Sequence, residues 1–250
     1  MAQKPPTHNK VVVGNLSSNL SDVDVVILAG GLGKRLRSLV SDRPKVLAEV
    51  GQRPFLDILI NYLRNTGFSR IILSIGYLKD QIKERYANQG ILFAEEETPL
   101  GTGGGIKNAQ ELIRSKNFFV MNGDSWIPSG VNMNMIHNFH KDKKALATVV
   151  LSSPRIQKDY GVVFLDKENL ISHFNEKSKE EGTHFLNAGI YLLNQELFSR
   201  MSQTPFSLES DFFPSLIGEA FYGFPIEGEV VDIGTPERYV EAQQKFSGDK

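Results

Sequence analysis

From Val23 to Asp124 short apolar runs alternate with stretches of helical period, and that alternation restricts the chain to few folds. "VDVVILA" is a continuous apolar run bounded by glycine, the pattern of a strand buried on both faces. "PFLDILINYLRNTG" comes later, with Pro54 in its first turn, apolar residues at Phe55, Ile58, Leu59, Tyr62 and Leu63, and Gly67 as its stop. "RIILSIG" reads as a strand, "LKDQIKERYANQG" as a helix and "ILFAE" as a strand. A third helix is predicted from near Gly104 to about Ser115, and "FFVMNGD" is a strand that ends in an acid. Such alternation predicts an α/β fold, a Rossmann-like and mostly parallel sheet with helices on both faces. After Ser152 the segments "GVVFLD", "LISHFNEK" and "THFLNAGIYLL" crowd together, which predicts antiparallel strands inserted into the same sheet. "SLESDFFPSLIGEA" reads as helical, "FYGFPI" and "EVVDIG" as strands, and "PERYVEAQQKF" as a closing helix with Pro236 at its start. Residues 1–22, polar and Pro-containing, are expected to be an N-terminal extension, and residues 23–250 a single domain.

Composition narrows the partners. The 250 residues are 40% hydrophobic, enough for a sizeable core. The net charge of -1 argues against a general nucleic-acid surface. There is no cysteine, hence no disulfide and no thiolate metal site. No apolar run approaches the roughly 20 residues of a membrane helix, and "MAQKPPTHNK" lacks the apolar core of a signal peptide. A soluble, cytoplasmic protein with small-molecule partners, and with neither nucleic acid nor membrane among them, is the expectation.

The carboxyl ends of the strands carry the chemistry-bearing residues, which is where open α/β sheets bind ligands. "AGGLGKR" leads out of the first strand, with Gly30, Gly31 and Gly33 allowing close approach of a ligand. Lys34, Arg35, Arg37, Arg43 and Lys45 come within a short span, a density that a polyphosphate would explain. The dinucleotide fingerprint fails at Leu36, and the P-loop fails at Leu28 and Arg35. A surface turn with solvated cations is the plain alternative for this motif alone. A second glycine loop, "EEETPLGTGGGIKNA", also joins a strand to a helix. Asp124 of "NGDS" and Asp232 of "VVDIGTPERY" both sit at strand ends, and two such carboxylates suit Mg²⁺, which is held by one or two carboxylates with phosphate oxygens and water. Either acid alone would more often be a turn or cap residue.

Together "LAGGLGKRLR...RPKVL", "PLGTGGGI", "NGD", "NEK", "NAGIY" and "DIGTPERY" resemble, in order, the motifs of the sugar-1-phosphate nucleotidyltransferases, from about Val25 to Tyr239. Through "RLRSLV", "PLGTGG", "NGDS" and its length, the chain looks most like the D-glycero-α-D-manno-heptose 1-phosphate guanylyltransferases within that family. The resemblance implies a nucleotide-diphospho-sugar transferase fold whose antiparallel portion binds the sugar. It implies attack of a sugar 1-phosphate on the α-phosphate of an NTP, with Mg²⁺ as cofactor, NDP-sugar as product and pyrophosphate as leaving group. No general base is needed, because the nucleophile is already anionic.

The resemblance also implies roles. Leu28, Ala29, Gly30, Gly31, Gly33 and Lys34, with Pro99, Gly101, Thr102 and Gly103, lie against the nucleotide. Arg35 meets the departing pyrophosphate, Lys45 the α-phosphate, and Asp124 and Asp232 hold the metal. Lys177 grips the sugar phosphate, and Tyr160, Gly161, Glu176 and Asn187 line the sugar. Glu96 reads the base, since a carboxylate can accept from both N1–H and N2–H₂ of guanine; Glu95 and Glu97 remain alternatives for that place. Relatives often carry "GTAGAI" where this chain has "GTGGGI", and extra backbone freedom there would loosen the loop. His137 and His140 stand at helical spacing without an evident third metal ligand. Phe118, Phe119, Phe139 and Phe174 read as core. The alternatives are a mannose 1-phosphate guanylyltransferase, a uridylyltransferase acting on a hexose or N-acetylmuramate phosphate, and a non-catalytic nucleotide-sugar sensor. The oligomeric state, monomer or dimer, is left open.

Overall fold

The apolar runs assemble into one nine-stranded mixed sheet. The computed structural model describes residues 19–127, 131–152, 162–175, 185–202 and 205–247. Strand β1 (Asp24–Leu28) is followed by a short hairpin of β2 (Glu49–Val50) and β3 (Arg53–Pro54), then by helix α1 (Phe55–Thr66), β4 (Arg70–Ile75), α2 (Lys79–Tyr86), β5 (Leu92–Glu95), α3 (Gly101–Asn108) and β6 (Asn117–Asn122). Next come β7 (Ser125–Trp126), α4 (Met133–Asp142), β8 (Ala147–Ser152), β9 (Val162–Leu165), β10 (Ile171–Asn175) and β11 (Phe185–Asn194). The chain ends through β12 (Phe221–Ile226), β13 (Val231–Asp232) and α5 (Pro236–Ser247).

One half of the sheet is parallel, in the order β6-β1-β4-β5. The other half is antiparallel and grows from β11, which pairs with β6, β8 and β9, while β10 pairs with β9. β12 runs parallel to β8 at that edge. Because β11 is antiparallel to β6, its first residues lie beyond the carboxyl end of β6, on the same rim of the sheet as the glycine loops. This is the inserted antiparallel portion that the crowded segments predicted.

Separate apolar layers cover the two faces. One includes Val25, Ile27, Leu73 and the α1 stripe Phe55, Leu56, Leu59, Ile60 and Leu63; the other includes Val26, Ile72, Val120, Tyr191 and Phe213. The alternation Val25/Val26/Ile27 between the two layers follows from the two-residue period of a strand. Each such fully buried side chain contributes about 1.5–3 kcal/mol. Three of the four phenylalanines read as core are buried in it: Phe118 stacks on Phe198 at 5.3 Å, and Phe119 meets Phe68 and Phe174 meets Phe213 edge-on; the fourth, Phe139, is half-buried outside the core layers and meets Phe224. Leu20, in a short turn capped by Asn19, is also buried in the first layer, so residues 19–22 contribute to the folded body.

The amino end of the parallel half carries a closed polar cluster. Asp24, fully buried at the start of β1, accepts from Arg70 Nε and from the backbone N–H groups of Arg114 and Ser115, each at 2.7 Å. Its own N–H donates to Ser115 Oγ at 2.9 Å. A buried carboxylate requires such full pairing.

Two elements differ from the sequence reading. The third helix begins at Gly101, not near Gly104, and ends at Asn108, with a short 3₁₀ turn at Gln110–Leu112 carrying the chain on toward β6. The segment read as one helix at "SLESDFFPSLIGEA" is a single wide turn, Leu208–Phe212, joined to a 3₁₀ turn, Phe213–Leu216. Pro214 accounts for the break, since it lacks the N–H that a continuing helix would need.

Candidate active site

A cavity of about 410 Å³ opens at the carboxyl rim of the parallel strands. The end of β1 delivers Leu28, Ala29, Gly30 and Gly31 to it, with Lys34 from the following turn. The loop from β5 into α3 delivers Glu96, Pro99, Gly101 and Thr102, and Lys45 and Asp124 complete the floor. The two glycine loops, separated in sequence, therefore face one space. Ser74 and Asn122 line it as well. The sequence reading missed both; their signal was a polar residue at or next to the end of an apolar strand, in "IILSI" and "FFVMN".

The acidic run divides cleanly. Glu95 pairs with Lys83 at 2.6 Å and with Lys79 at 3.3 Å, and exposed Glu97 pairs with Lys79 at 2.6 Å. Glu96 faces the opposite way, into the cavity, as strand alternation requires. Its Oε1 accepts from Ser74 Oγ at 3.0 Å and its Oε2 from the Leu100 N–H at 3.1 Å. The carboxylate is thus held rigidly while acceptor capacity remains, since each oxygen offers two lone pairs. A Cβ on Gly30 would lie 2.9 Å from Glu96 Oε1, and one on Gly105 would lie 2.8 Å from it. Glycine at both positions gives the carboxylate its room. Gly103, in turn, lies under the Phe206 ring, which a Cβ would strike at 2.1 Å. The "GTGGGI" run is therefore closely packed, which corrects the expectation of a loosened loop.

The basic span separates into distinct jobs. Lys45 donates to Asp124 Oδ2 across the cavity floor. Burial pushes the Asp124 carboxyl upward, but the Lys45 ammonium overrides it and holds the group below the usual carboxylate range. Lys34 and Arg35 are exposed and have no ion-pair partner among the described residues. Arg35 lies outside the cavity lining and reaches toward the last strand: its Nη2 is 3.9 Å from where a Cβ on Gly234 would stand. Arg37 covers the Tyr77 ring at 4.8 Å. Arg43 is turned outward to Asp42 and Glu49, so it takes no part in the cavity. Gly33, at φ +59°, abuts the Lys45 side chain instead of lining the cavity.

Asp232 comes from far along the chain. Strand β13 pairs antiparallel with β7, Asp232 opposite Ser125, and the Ile233 N–H donates to the Asp124 carbonyl at 3.0 Å. Asp232 is thereby set opposite the residue that follows Asp124, but it lines a separate small recess with Arg238, Glu241 and Lys245 and not the cavity. Asp232 is buried, accepts from the Gly234 N–H at 2.8 Å and meets Arg238 Nη1 at 3.3 Å. No group of three or more metal-ligating side chains occurs among the described residues. Any cation here must take its remaining ligands from phosphate and water, the coordination Mg²⁺ favours.

On the side expected to meet the sugar, Asn187 lies at the bulge of β11 and donates through Nδ2 to Tyr191 Oη at 2.9 Å. Tyr160, Gly161, Glu176 and Lys177, the other predicted sugar residues, lie outside the described residues. His140 donates to or accepts from Thr148 Oγ1 at 2.9 Å through Nδ1, and His137 and His140 lie buried on the inner face of α4, away from the cavity.

A mixed α/β sheet with two glycine loops, a lysine and a carboxylate around one rim cavity defines a nucleotide-handling transferase. The chain belongs to the nucleotidyl transferase family, whose model matches residues 24–248. It is 35% identical over 231 residues to a D-glycero-α-D-manno-heptose 1-phosphate guanylyltransferase of Aneurinibacillus thermoaerophilus, covering 90% of this chain and 98% of that one. It is 36% identical to a mannose-1-phosphate guanyltransferase of Saccharomyces cerevisiae, over 86% of this chain and 62% of that longer protein. Its fold matches the crystal structure of HddC from Yersinia pseudotuberculosis complexed with GMP-PN, with a TM-score of 0.76 and 34% identity over 90% of this chain and 99% of that one. No helix among the described residues is long and apolar enough to cross a membrane.

Proposed function

We propose that this chain joins GTP to a sugar 1-phosphate, giving a GDP-sugar and pyrophosphate, and that the sugar is D-glycero-α-D-manno-heptose 1-phosphate. The observation that carries the nucleotide choice is Glu96, the one carboxylate of its run that faces the cavity. Guanine offers N1–H and N2–H₂ on one edge, and a fixed carboxylate accepts from both. Adenine presents a lone pair at N1, and uracil and thymine have a single N–H there. A site built to hydrogen-bond one edge discriminates strongly, because the wrong base leaves buried polar groups unpaired. The guanylyltransferase relatives and the GMP-PN complex support the same base. The heptose is supported by the relative matched along its whole length; mannose 1-phosphate is the second reading, supported by the similarly identical yeast enzyme.

In this reading an oxygen of the sugar phosphate attacks the α-phosphorus. The new O–P bond forms as the bond to the β-phosphate oxygen breaks, and pyrophosphate carries away the electron pair. Lys45 sits where negative charge builds and contributes most at the transition state. Arg35 and Lys34 receive the departing pyrophosphate. Asp124 and Asp232 would hold Mg²⁺, which when bound neutralises phosphate charge. Lys45 and Asp124 in the cavity, with Asp232 brought next to Ser125 by the β7–β13 ladder, favour turnover over a binding-only sensor. The cytoplasm is the proposed setting, since it supplies both substrates.

Competition among GTP, UTP, dTTP and ATP tests the base reading. Wild type is expected to prefer GTP, and Glu96→Gln to erode that preference by roughly ten- to a hundred-fold, more than it erodes total activity. Survival of the preference in Glu96→Gln, or a wild type that prefers UTP, would overturn it. A pyrophosphate-release panel of sugar 1-phosphates decides between heptose and mannose.

A further inference from the structure

Glu209 is a buried carboxylate, 7% exposed, with no cationic partner among the described residues. Hydroxyls surround it instead. Its Oε1 accepts from Tyr191 Oη at 3.0 Å, and its Oε2 accepts from Thr102 Oγ1 at 2.5 Å and from Ser207 Oγ at 3.0 Å. Burying a charge this way is costly unless every lone pair has work, so the arrangement calls for a reason beyond packing.

The chemistry of the donors supplies one. An ionised carboxylate only accepts, so all three hydroxyls must point their protons at Glu209. Tyr191, with its proton committed, can only accept at its oxygen from Asn187 Nδ2. That fixes which way the Asn187 amide points, and its Oδ1 takes the Gly189 N–H at 3.0 Å. Thr102, likewise committed, accepts from the Leu208 N–H at 2.8 Å, which ties the nucleotide loop to the 205–212 segment. Thr102 lines the cavity, and Asn187 lies in the part of β11 that runs beyond the carboxyl end of β6 and is the residue read as meeting the sugar. One carboxylate therefore sets the polarity of two hydrogen-bond chains, one running to Thr102 and one to Asn187.

We propose that Glu209 is a positioning residue for both substrates, holding the nucleotide loop through Thr102 and the sugar-facing amide of Asn187 through Tyr191. It rests on the reading of Asn187 as a sugar contact. Glutamine has the same volume but donates at one end, so in Glu209→Gln one of the two chains must reverse or break.

Steady-state kinetics on the whole chain, using whichever NTP and sugar phosphate wild type turns over best, tests this. Glu209→Gln should raise KM for at least one substrate by about ten-fold, the size of a lost charge-assisted hydrogen bond, and Glu209→Ala should raise both. Tyr191→Phe should raise KM for the sugar phosphate alone, and Thr102→Val that for the NTP alone. Two results overturn the proposal: KM values within two-fold of wild type in both Glu209 variants with only the melting temperature lowered, or equal effects of Tyr191→Phe on both substrates. Asn187→Ala tests the underlying reading separately. An unchanged sugar-phosphate KM there overturns the placement of Asn187 at the sugar. A raised one, with unchanged values in Tyr191→Phe and Glu209→Gln, overturns the relay alone. A failure of the guanine reading would show instead in the nucleotide that wild type selects.

Discussion

The two ends of the parallel strands carry the same kinds of residue and use them differently. At the amino end, Asp24 is fully buried with Arg70 and two backbone N–H groups around it. At the carboxyl end, Asp124 pairs with Lys45 on the floor of an open cavity, its side chain 24% exposed. The first carboxylate has its acceptor capacity occupied by the protein. The second keeps capacity in reserve, with a cation beside it that an incoming phosphate can share. Pairing that closes on itself contributes to stability; pairing that faces a cavity is available for chemistry. Substitutions at the two ends should therefore register in different measurements.

The largest effect is expected at the open end. Asp124→Ala and Asp232→Ala should each lower turnover on the order of a thousand-fold or more while leaving the folded signal intact. Titration of activity with Mg²⁺ checks this, and near-wild-type Mg²⁺-dependent turnover in either variant would remove that residue from the catalytic pair. Next, Lys45→Ala should lower kcat by about a hundred-fold with little change in KM for the NTP, because its charge matters most as the α-phosphorus becomes more negative. A raised KM with kcat unchanged would move Lys45 to ground-state binding.

At the closed end the reverse is expected. Asp24→Ala should cost about 2–4 kcal/mol of stability, leaving Arg70 and two N–H groups without their acceptor. Turnover per folded molecule should stay at the wild-type value. Urea unfolding together with an active-fraction count separates the two quantities, and a fall in kcat would blur the division between the ends.

The smallest effect concerns His140 and Thr148, near the start of β8 and so remote from the cavity. Burial, then the nearby His137, pushes the His140 imidazole down to about 3, so the folded protein keeps it neutral while the unfolded chain protonates near the ordinary value. The stabilisation is full above the unfolded value near 6.5 and is lost as pH falls from there toward about 3. In that window one proton contributes a slope of about 1.4 kcal/mol per pH unit. Thermal unfolding from pH 7 to 4.5 should show it, and the pair His140→Leu with Thr148→Val should flatten it without touching turnover at neutral pH.

Legibility in the sequence has the same geography. The parallel half was readable because each strand is a short apolar run closed by glycine or an acid, and each helix repeats at its own period. The glycine loops were readable because they interrupt that rhythm. Strand β8 was not, since "ATVVLS" is buried along its whole length and stands between a helix and a turn without punctuation. The start of α3 was misplaced because Gly101, Thr102 and Gly103 read as loop, whereas close packing of Gly101 and Gly103 against Phe206 accommodates them in the helix. Ser74, Asn122 and Glu209 escaped notice for a shared reason: a single polar residue in an apolar context reveals its role only when its partners, remote in the chain, are known. Glu96 was singled out by resemblance, but strand alternation and the lysines on the outer side are what separate it from its neighbours.

The two-residue ladder between β7 and β13 has a consequence for how the chain is made. Asp124 is synthesised near the middle and Asp232 close to the end, and only pairing of Ser125 with Asp232 sets the second acid opposite the residue that follows the first. Contacts of such sequence separation form late, after loop-closure entropy has been overcome. The first glycine loop, Lys45 and Glu96 belong to the first half of the chain, and the 205–212 segment that packs the second loop also precedes β13, so a nascent chain can complete a nucleotide pocket before it owns both carboxylates. Competence to bind would then precede competence to react, and the last strand would act as the arming step of the enzyme.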